Sequence, residues 1–273
     1  MSWLKALCIA FSLYSRIPVP NFEWKDRELR LHMVFFPWIG AVIGALLFGW
    51  LKLTEALHIG SIAYVLIGVA IPLLVTGGFH ADGYMDCMDA FRSYKDRDEK
   101  LRILKDPHVG AFAVLMLVVL LLIYGGAYSQ IKAAFIPVLA GGFFLSRTLS
   151  ALAVMFFPAA KKDGMLYSFS RSAHGEKWKL VTLLTFINLA ICFAFMLIMN
   201  PAAGALSALA AGLCFLYYHY KSKKEFGGIT GDTAGFFVCI CETAIAFSLA
   251  GCSFLFLEFL NGTDNGRACS GAL

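Results

Sequence analysis

The stretch best suited to chemistry is Gly77-Gly78-Phe79-His80-Ala81-Asp82-Gly83-Tyr84-Met85-Asp86-Cys87-Met88-Asp89, where an apolar segment runs directly into three aspartates. Their spacing is i, i+4, i+7. On a helix that continues through Gly83, this places Asp82, Asp86 and Asp89 along one stripe, with His80 at its start. Three uncompensated carboxylates on one stripe repel each other, and a divalent cation resolves that conflict. Aspartate oxygens are hard ligands suited to Mg²⁺ or Mn²⁺, and Mg²⁺ takes one or two carboxylates together with substrate phosphate oxygens. The chemistry expected is therefore metal-assisted phosphoryl transfer. A solvated helix end neutralised by Arg92, Lys95, Arg97 and Arg102 is the alternative. The stripe lies at the edge of an apolar segment, where ionisable groups are costly unless paired, coordinating or facing water, and this favours the functional reading.

A second cluster, Gly227-Gly228-Ile229-Thr230-Gly231-Asp232-Thr233, opens the last apolar segment. Glycines allow close backbone approach, and exposed N–H groups at a helix start favour anions. Gly228, Thr230 and Gly231 are thus candidates to cradle phosphate while Asp232 shares the metal; a glycine-rich turn with Asp232 as N-cap is the plainer alternative. Glu242, deeper in the same segment, needs a partner. So does Arg147, midway along another apolar segment, which must meet a carboxylate on a different helix or a substrate phosphate. A third cluster, Lys161 to Arg171, interleaves basic and aromatic residues and suits an anionic ring-bearing substrate, although Lys161 and Lys162 also read as topology anchors. In Asp106-Pro107-His108-Val109-Gly110, Asp106 and Pro107 fit the N-cap and first positions of the next helix.

The elements that carry these residues are membrane helices. Hydrophobic residues make up 59% of the 273 and charged residues 15%, against roughly 25% charged in soluble domains. Seven spans are expected, at 34–53, 61–79, 111–129, 133–157, 180–199, 202–220 and 234–257, in one all-α, polytopic membrane domain covering 1–273. The connections 1–33, 80–110, 158–179 and 221–233 share one side and hold nineteen Lys and Arg; the other side holds three. That asymmetry puts the N-terminus and the acidic clusters in the cytosol. The +5 net charge is accounted for by topology, so nucleic acid is not an expected partner. The eight cysteines are scattered without CxxC spacing and read as small buried hydrophobes.

Taken in order, GGFHADGYMDCMDA, SYKDRDEKLRILKDPHVGA, Ser146-Arg147, the Asp163-Gly164-Met165 loop and GGITGDTAG resemble the cobalamin synthase family, the adenosylcobinamide-GDP ribazoletransferases. The opening Phe11, Arg16, Pro18 and Pro20, followed by Phe36-Pro37-Trp38-Ile39-Gly40, is similar too. Ala90 stands where that family usually has glycine, and Cys239 where a glutamate often precedes Glu242.

The resemblance implies that α-ribazole, or its 5′-phosphate, displaces GMP from adenosylcobinamide-GDP, giving adenosylcobalamin or its phosphate in a Mg²⁺-dependent reaction. It implies a prokaryotic cytoplasmic (inner) membrane, with the bilayer and the two substrates as partners; a homo-oligomer stays open. Under it, Asp82, Asp86, Asp89 and Asp232 hold Mg²⁺, an aspartate of the stripe or His80 takes the proton from the attacking ribose hydroxyl, and Arg147, Arg92 and Lys105 hold phosphate oxygens. Residues 163–171 would cover the corrinoid or the ribazole. Two other readings remain: a CDP-alcohol phosphotransferase, whose DGxxAR run is broken here by Cys87-Met88, and a cation-coupled transporter using Arg147 and Glu242 as a relay.

Overall fold

A computed structural model describes residues 2–20, 22, 26–161 and 178–270. These residues form α1 (Ser2–Tyr14), α2 (Asp26–Leu57), α3 (Ser61–Thr76), α4 (Phe79–Arg92), α5 (Arg97–Ile103), α6 (Ala111–Gln130), α7 (Ile136–Phe156, entered by a short 3₁₀ turn), α8 (Trp178–Met199), α9 (Pro201–Phe226) and α10 (Gly231–Ser270). Among the described residues there is no strand, only an isolated parallel bridge between Ala159 and Ile229. The all-α, polytopic expectation holds.

Among the described residues six helices are long and apolar enough to cross a membrane: α2, α6, α7 with its 3₁₀ turn, α8, α9 and α10. The seventh expected span, 61–79, ends at Thr76 as α3, and the chain then turns by 93° into α4. The cause lies in Gly77 and Gly78, at φ 64° and 80°, a left-handed conformation that side chains disfavour. The Gly78 amide donates to the Leu73 carbonyl at 3.0 Å, closing the helix end. Because α4 runs at right angles to α3, it adds nothing to that crossing. It is a helix laid across the end of the bundle.

Only three residues join α2 to α3, so α3 returns to the side on which α2 began. The same end gathers the tail of α7, where the Ile229 amide donates to Pro158 O at 2.8 Å. There too the Arg97 Nε caps α9 by donating to Phe226 O at 2.7 Å. Glu225 ties this end together by accepting from Lys100 at 2.5 Å and Lys221 at 2.9 Å. At the opposite end Asn200 caps α9, its Oδ1 accepting from the Ala203 amide at 2.9 Å, which makes the tight α8–α9 hairpin that Asn200-Pro201 predicts.

Between the ends, small residues let helices approach closely, the packing mode open to membrane helices surrounded by lipid. A β-carbon on Gly44 would come within 2.7 Å of the Ala140 side chain, and one on Gly40 would collide with the Phe143 carbonyl, so α2 and α7 meet backbone to backbone. By contrast, α6 and α8 present outward rows such as Leu115, Val118 and Leu122, and Leu183, Ile187 and Ile191. Those rows face lipid.

Candidate active site

The acidic stripe does form, because α4 continues without a break through Gly83. Asp82 in its first turn and Arg92 in its last are favourably placed on the helix dipole. The opposite face of α4 packs into a small apolar cluster of Tyr84, Cys87, Met88, Leu101, Phe226 and Phe236. There the Tyr84 and Phe236 rings stack at 5.8 Å. Burial of that face fixes the roll of α4 and turns the aspartates away from it.

Gly83 lies against the first turn of α10: a β-carbon there would approach the Cα and the carbonyl oxygen of Asp232 to 2.8 Å. One turn further on, a β-carbon on Gly235 would come within 2.9 Å of the His80 carbonyl. Two glycines on two helices thus let α4 and α10 cross in direct backbone contact and deliver Asp232 to the stripe. Nothing local in the sequence couples Gly83 to Gly235. The charges of Asp232, Asp82 and Asp89 all act on Asp86. Burial first, and then those three carboxylates in that order, push the Asp86 carboxyl up to about 7.

The third aspartate is placed differently. Asp89 accepts from the Gly110 amide at 2.7 Å through Oδ2 and from the Ala113 amide at 2.9 Å through Oδ1. It therefore caps α6 from another helix, and the missing side chain of Gly110 makes the approach possible. Asp106, expected to be that cap, instead accepts from the His108 amide at 3.0 Å and from His108 Nδ1 at 2.7 Å. The α6 N-cap is Gly110, four residues beyond Asp106.

At the start of α10, Thr230 and Thr233 cap each other. The Thr230 amide donates to Thr233 Oγ1 at 2.8 Å, and the Thr233 amide donates to Thr230 Oγ1 at 3.1 Å. Asp232 Oδ2 accepts from the Thr230 hydroxyl at 3.5 Å, and Asp232 feels the charge of Asp82 on the stripe and a compensating positive charge from Lys161. Gly227 closes α9 at φ 76°, and Gly228 is packed so tightly on Pro158 to Ala160 that a side chain would collide with their backbone. Of the glycines at the start of α10, Gly231 faces open space.

His80 is buried on the packed face of α4, its ring 5.8 Å from that of Phe36 and 5.6 Å from that of Phe79, and among the described residues its Nε2 has no hydrogen-bond partner. Arg92 and Lys105 are exposed at the end of the bundle that carries α4. Arg147, 1% exposed, pairs through Nη1 with Glu242 and also donates to the Phe143 carbonyl at 2.9 Å. Ser146 donates to the same Glu242 oxygen at 3.1 Å. Of the two partners open to Arg147, the structure shows the carboxylate on another helix. Lys162 and the loop 163–171 lie outside the described residues.

Among the described residues, no group of three or more His, Cys, Asp or Glu side chains converges closely enough to hold a metal ion by itself. The donors nevertheless suit a hard cation that draws the rest of its ligands from substrate phosphate. Asp82, Asp86 and Asp232 are carboxylates gathered at one crossing, and the raised Asp86 carboxyl marks a concentration of negative charge that Mg²⁺ relieves. One basic residue beside the stripe escaped the motif reading. Arg16 lines the same cavity as Asp82, and the only sequence signal for it was the Phe11, Arg16, Pro18, Pro20 opening.

Residues 6–250 match the family described as cobalamin-5-phosphate synthase. An adenosylcobinamide-GDP ribazoletransferase of Lachnoclostridium phytofermentans is 42% identical over 242 residues, 89% of this chain and 92% of that protein. Proteins of the same name from Clostridium perfringens and Geobacillus thermodenitrificans are 32% and 34% identical, covering 87% and 85% of this chain and 94% and 88% of theirs. No solved structure matches. With these matches running through the acidic helix, the α4–α10 crossing and nearly all the membrane helices, the chain belongs to the cobalamin-5-phosphate synthase family.

Proposed function

We propose that this protein joins α-ribazole, or its 5′-phosphate, to the phosphocobinamide group of adenosylcobinamide-GDP with release of GMP, and that the crossing of α4 and α10 is its active site. The observation that carries this reading is the meeting of Asp232 with Asp82 and Asp86 at the Gly83 contact, in a chain whose relatives bear that transferase's name. Family membership supports the transferase class; the residue roles are our assignment.

Asp86 and Asp232 would hold Mg²⁺, which when bound supplies positive charge against the charge building on the leaving phosphate. Asp82, exposed on the wall of a cavity beside the stripe, accepts the proton of the attacking ribose hydroxyl. Lys161 and the open backbone at Gly231 lie on the α10 side and suit the phosphates of the departing nucleotide; Arg92 and Lys105 stand further out at the same end. Asp89 and the Arg147–Glu242 pair brace the helices that carry these groups. His80 packs α4 against Phe36 of α2. The excess of basic residues in the connections at this end supports an active site at the cytosolic face of a prokaryotic cytoplasmic membrane.

The test is formation of the cobalamin product from adenosylcobinamide-GDP and either acceptor by the purified protein in liposomes, with and without Mg²⁺. No turnover by folded protein would sink the proposal. Turnover indifferent to chelation would remove the metal and leave the transferase. Uptake of either substrate without chemistry would instead support the transporter reading.

A further inference from the structure

On the side of α4 away from α10 lies a cavity of about 920 Å³ between the end of α1, the end of α3 and the first turns of α4. Its walls are largely apolar, with Phe79, Met85 and Leu117 among them, and Asp82 stands on one side. Arg16 stands on the other. This arginine follows α1 directly, where Ser15 ends the helix by donating its hydroxyl to Phe11 O at 2.6 Å. The Arg16 amide is pinned to the end of α3, donating to Val75 O at 2.8 Å.

The Arg16 side chain lies over the Gly77 bend, exposed at the edge of the cavity. A β-carbon on Gly77 would come within 2.9 Å of Arg16 Cδ and closer still to Nε and Cγ. Gly77 therefore has two constraints, its φ of 64° and the space the arginine occupies. Among the described residues no carboxylate pairs with this guanidinium, although it projects beside an apolar cavity at the end of a membrane bundle. A planar fork of five donors at the edge of an apolar cavity suits an anion, and phosphate is the anion its geometry matches best.

We infer that Arg16 is a specificity-determining residue that binds the 5′-phosphate of the acceptor nucleotide, the ribose hydroxyl of that nucleotide lying at Asp82 and its base against the apolar wall. This rests on the function proposed above and names which substrate takes this side of α4. The cavity volume suits a nucleoside monophosphate, within the usual range for small-ligand pockets, and is too small for a corrin ring with its side chains. The pyrophosphate of the other substrate meets that ribose hydroxyl at the stripe, held on its α10 flank by Asp86 and Asp232 with Lys161 beside them.

The experiment compares kcat/KM for α-ribazole 5′-phosphate and for α-ribazole in the wild type, Arg16→Ala, Arg16→Lys and Gly77→Ala, with the thermal midpoint and the KM for adenosylcobinamide-GDP measured in each. In Arg16→Ala the preference for the phosphorylated acceptor falls about ten- to a hundredfold, the loss expected when a charge-assisted pair is removed. Arg16→Lys retains part of the preference, and Gly77→Ala, which displaces the arginine, loses it as well. An unchanged ratio overturns the inference, as does an equal loss with both acceptors or a raised KM confined to adenosylcobinamide-GDP. A wild type that turns over neither acceptor defeats the proposed function instead, so the two failures are distinct.

Discussion

Asp232 is set against Gly83 so closely that a β-carbon there would stand 2.8 Å from the Asp232 Cα. Two segments separated by nearly 150 residues of chain are thereby joined into one acidic site. Neither helix brings the site together alone; the missing methyl group does.

Gly83→Ala must push α10 away from α4, since the atoms in the way are backbone and cannot rotate aside. Turnover should fall about a hundredfold, the cost of misplacing a reacting group by around an ångström. Gly212→Ala, where nothing lies within 4 Å, should keep wild-type turnover. Equal activity of the two variants would show that the crossing does not set the chemistry.

The Asp86 carboxyl, raised to about 7 mainly by burial and then by Asp232, Asp82 and Asp89, must lose its proton before it can bind a cation. Mg²⁺ affinity should therefore fall roughly tenfold for each pH unit below 7 and level off above it. In metal-free protein the folded state holds a proton that the unfolded chain releases between about pH 4 and 7, so this group's contribution to stability declines as pH rises through that window. Asp86→Asn should remove both trends. Titration calorimetry and thermal melts at pH 6, 7 and 8 provide the measurement, and parallel pH curves for variant and wild type would refute the assignment.

Asp82 and Asp89 lie on one stripe and should behave differently. Asp89→Ala leaves the Gly110 and Ala113 amides without their acceptor and should cost about 1–2 kcal/mol, read as a lower thermal midpoint. Asp82→Asn should leave the melt unchanged and remove turnover while Mg²⁺ still binds. A stable Asp89→Ala, or an active Asp82→Asn, would reverse the assigned roles.

The buried Arg147–Glu242 pair braces α7 against α10. Arg147→Met alone strands a buried carboxylate and should destabilise the protein by about 3–5 kcal/mol. Arg147→Met combined with Glu242→Leu should recover most of that stability, and with it appreciable turnover. A double variant that folds and stays inactive would show that Arg147 touches substrate.

Much of this protein was legible in its sequence. Runs of apolar residues with few charges locate six long membrane helices and the bent seventh segment, because the bilayer imposes a length on any helix that spans it. The nineteen-to-three distribution of basic residues sets an expectation of sidedness. The spacing of Asp82, Asp86 and Asp89 determines a stripe, because helical periodicity is local. Tertiary structure decided what each member of the stripe does: Asp89 turns to the α6 amides, Asp86 meets Asp232, and Asp82 opens onto the Arg16 cavity. It also decided that Arg147 meets Glu242 and that Gly83 and Gly235 are points of contact. Those pairings depend on how helices from distant parts of the chain roll and cross, which periodicity within any one helix does not encode.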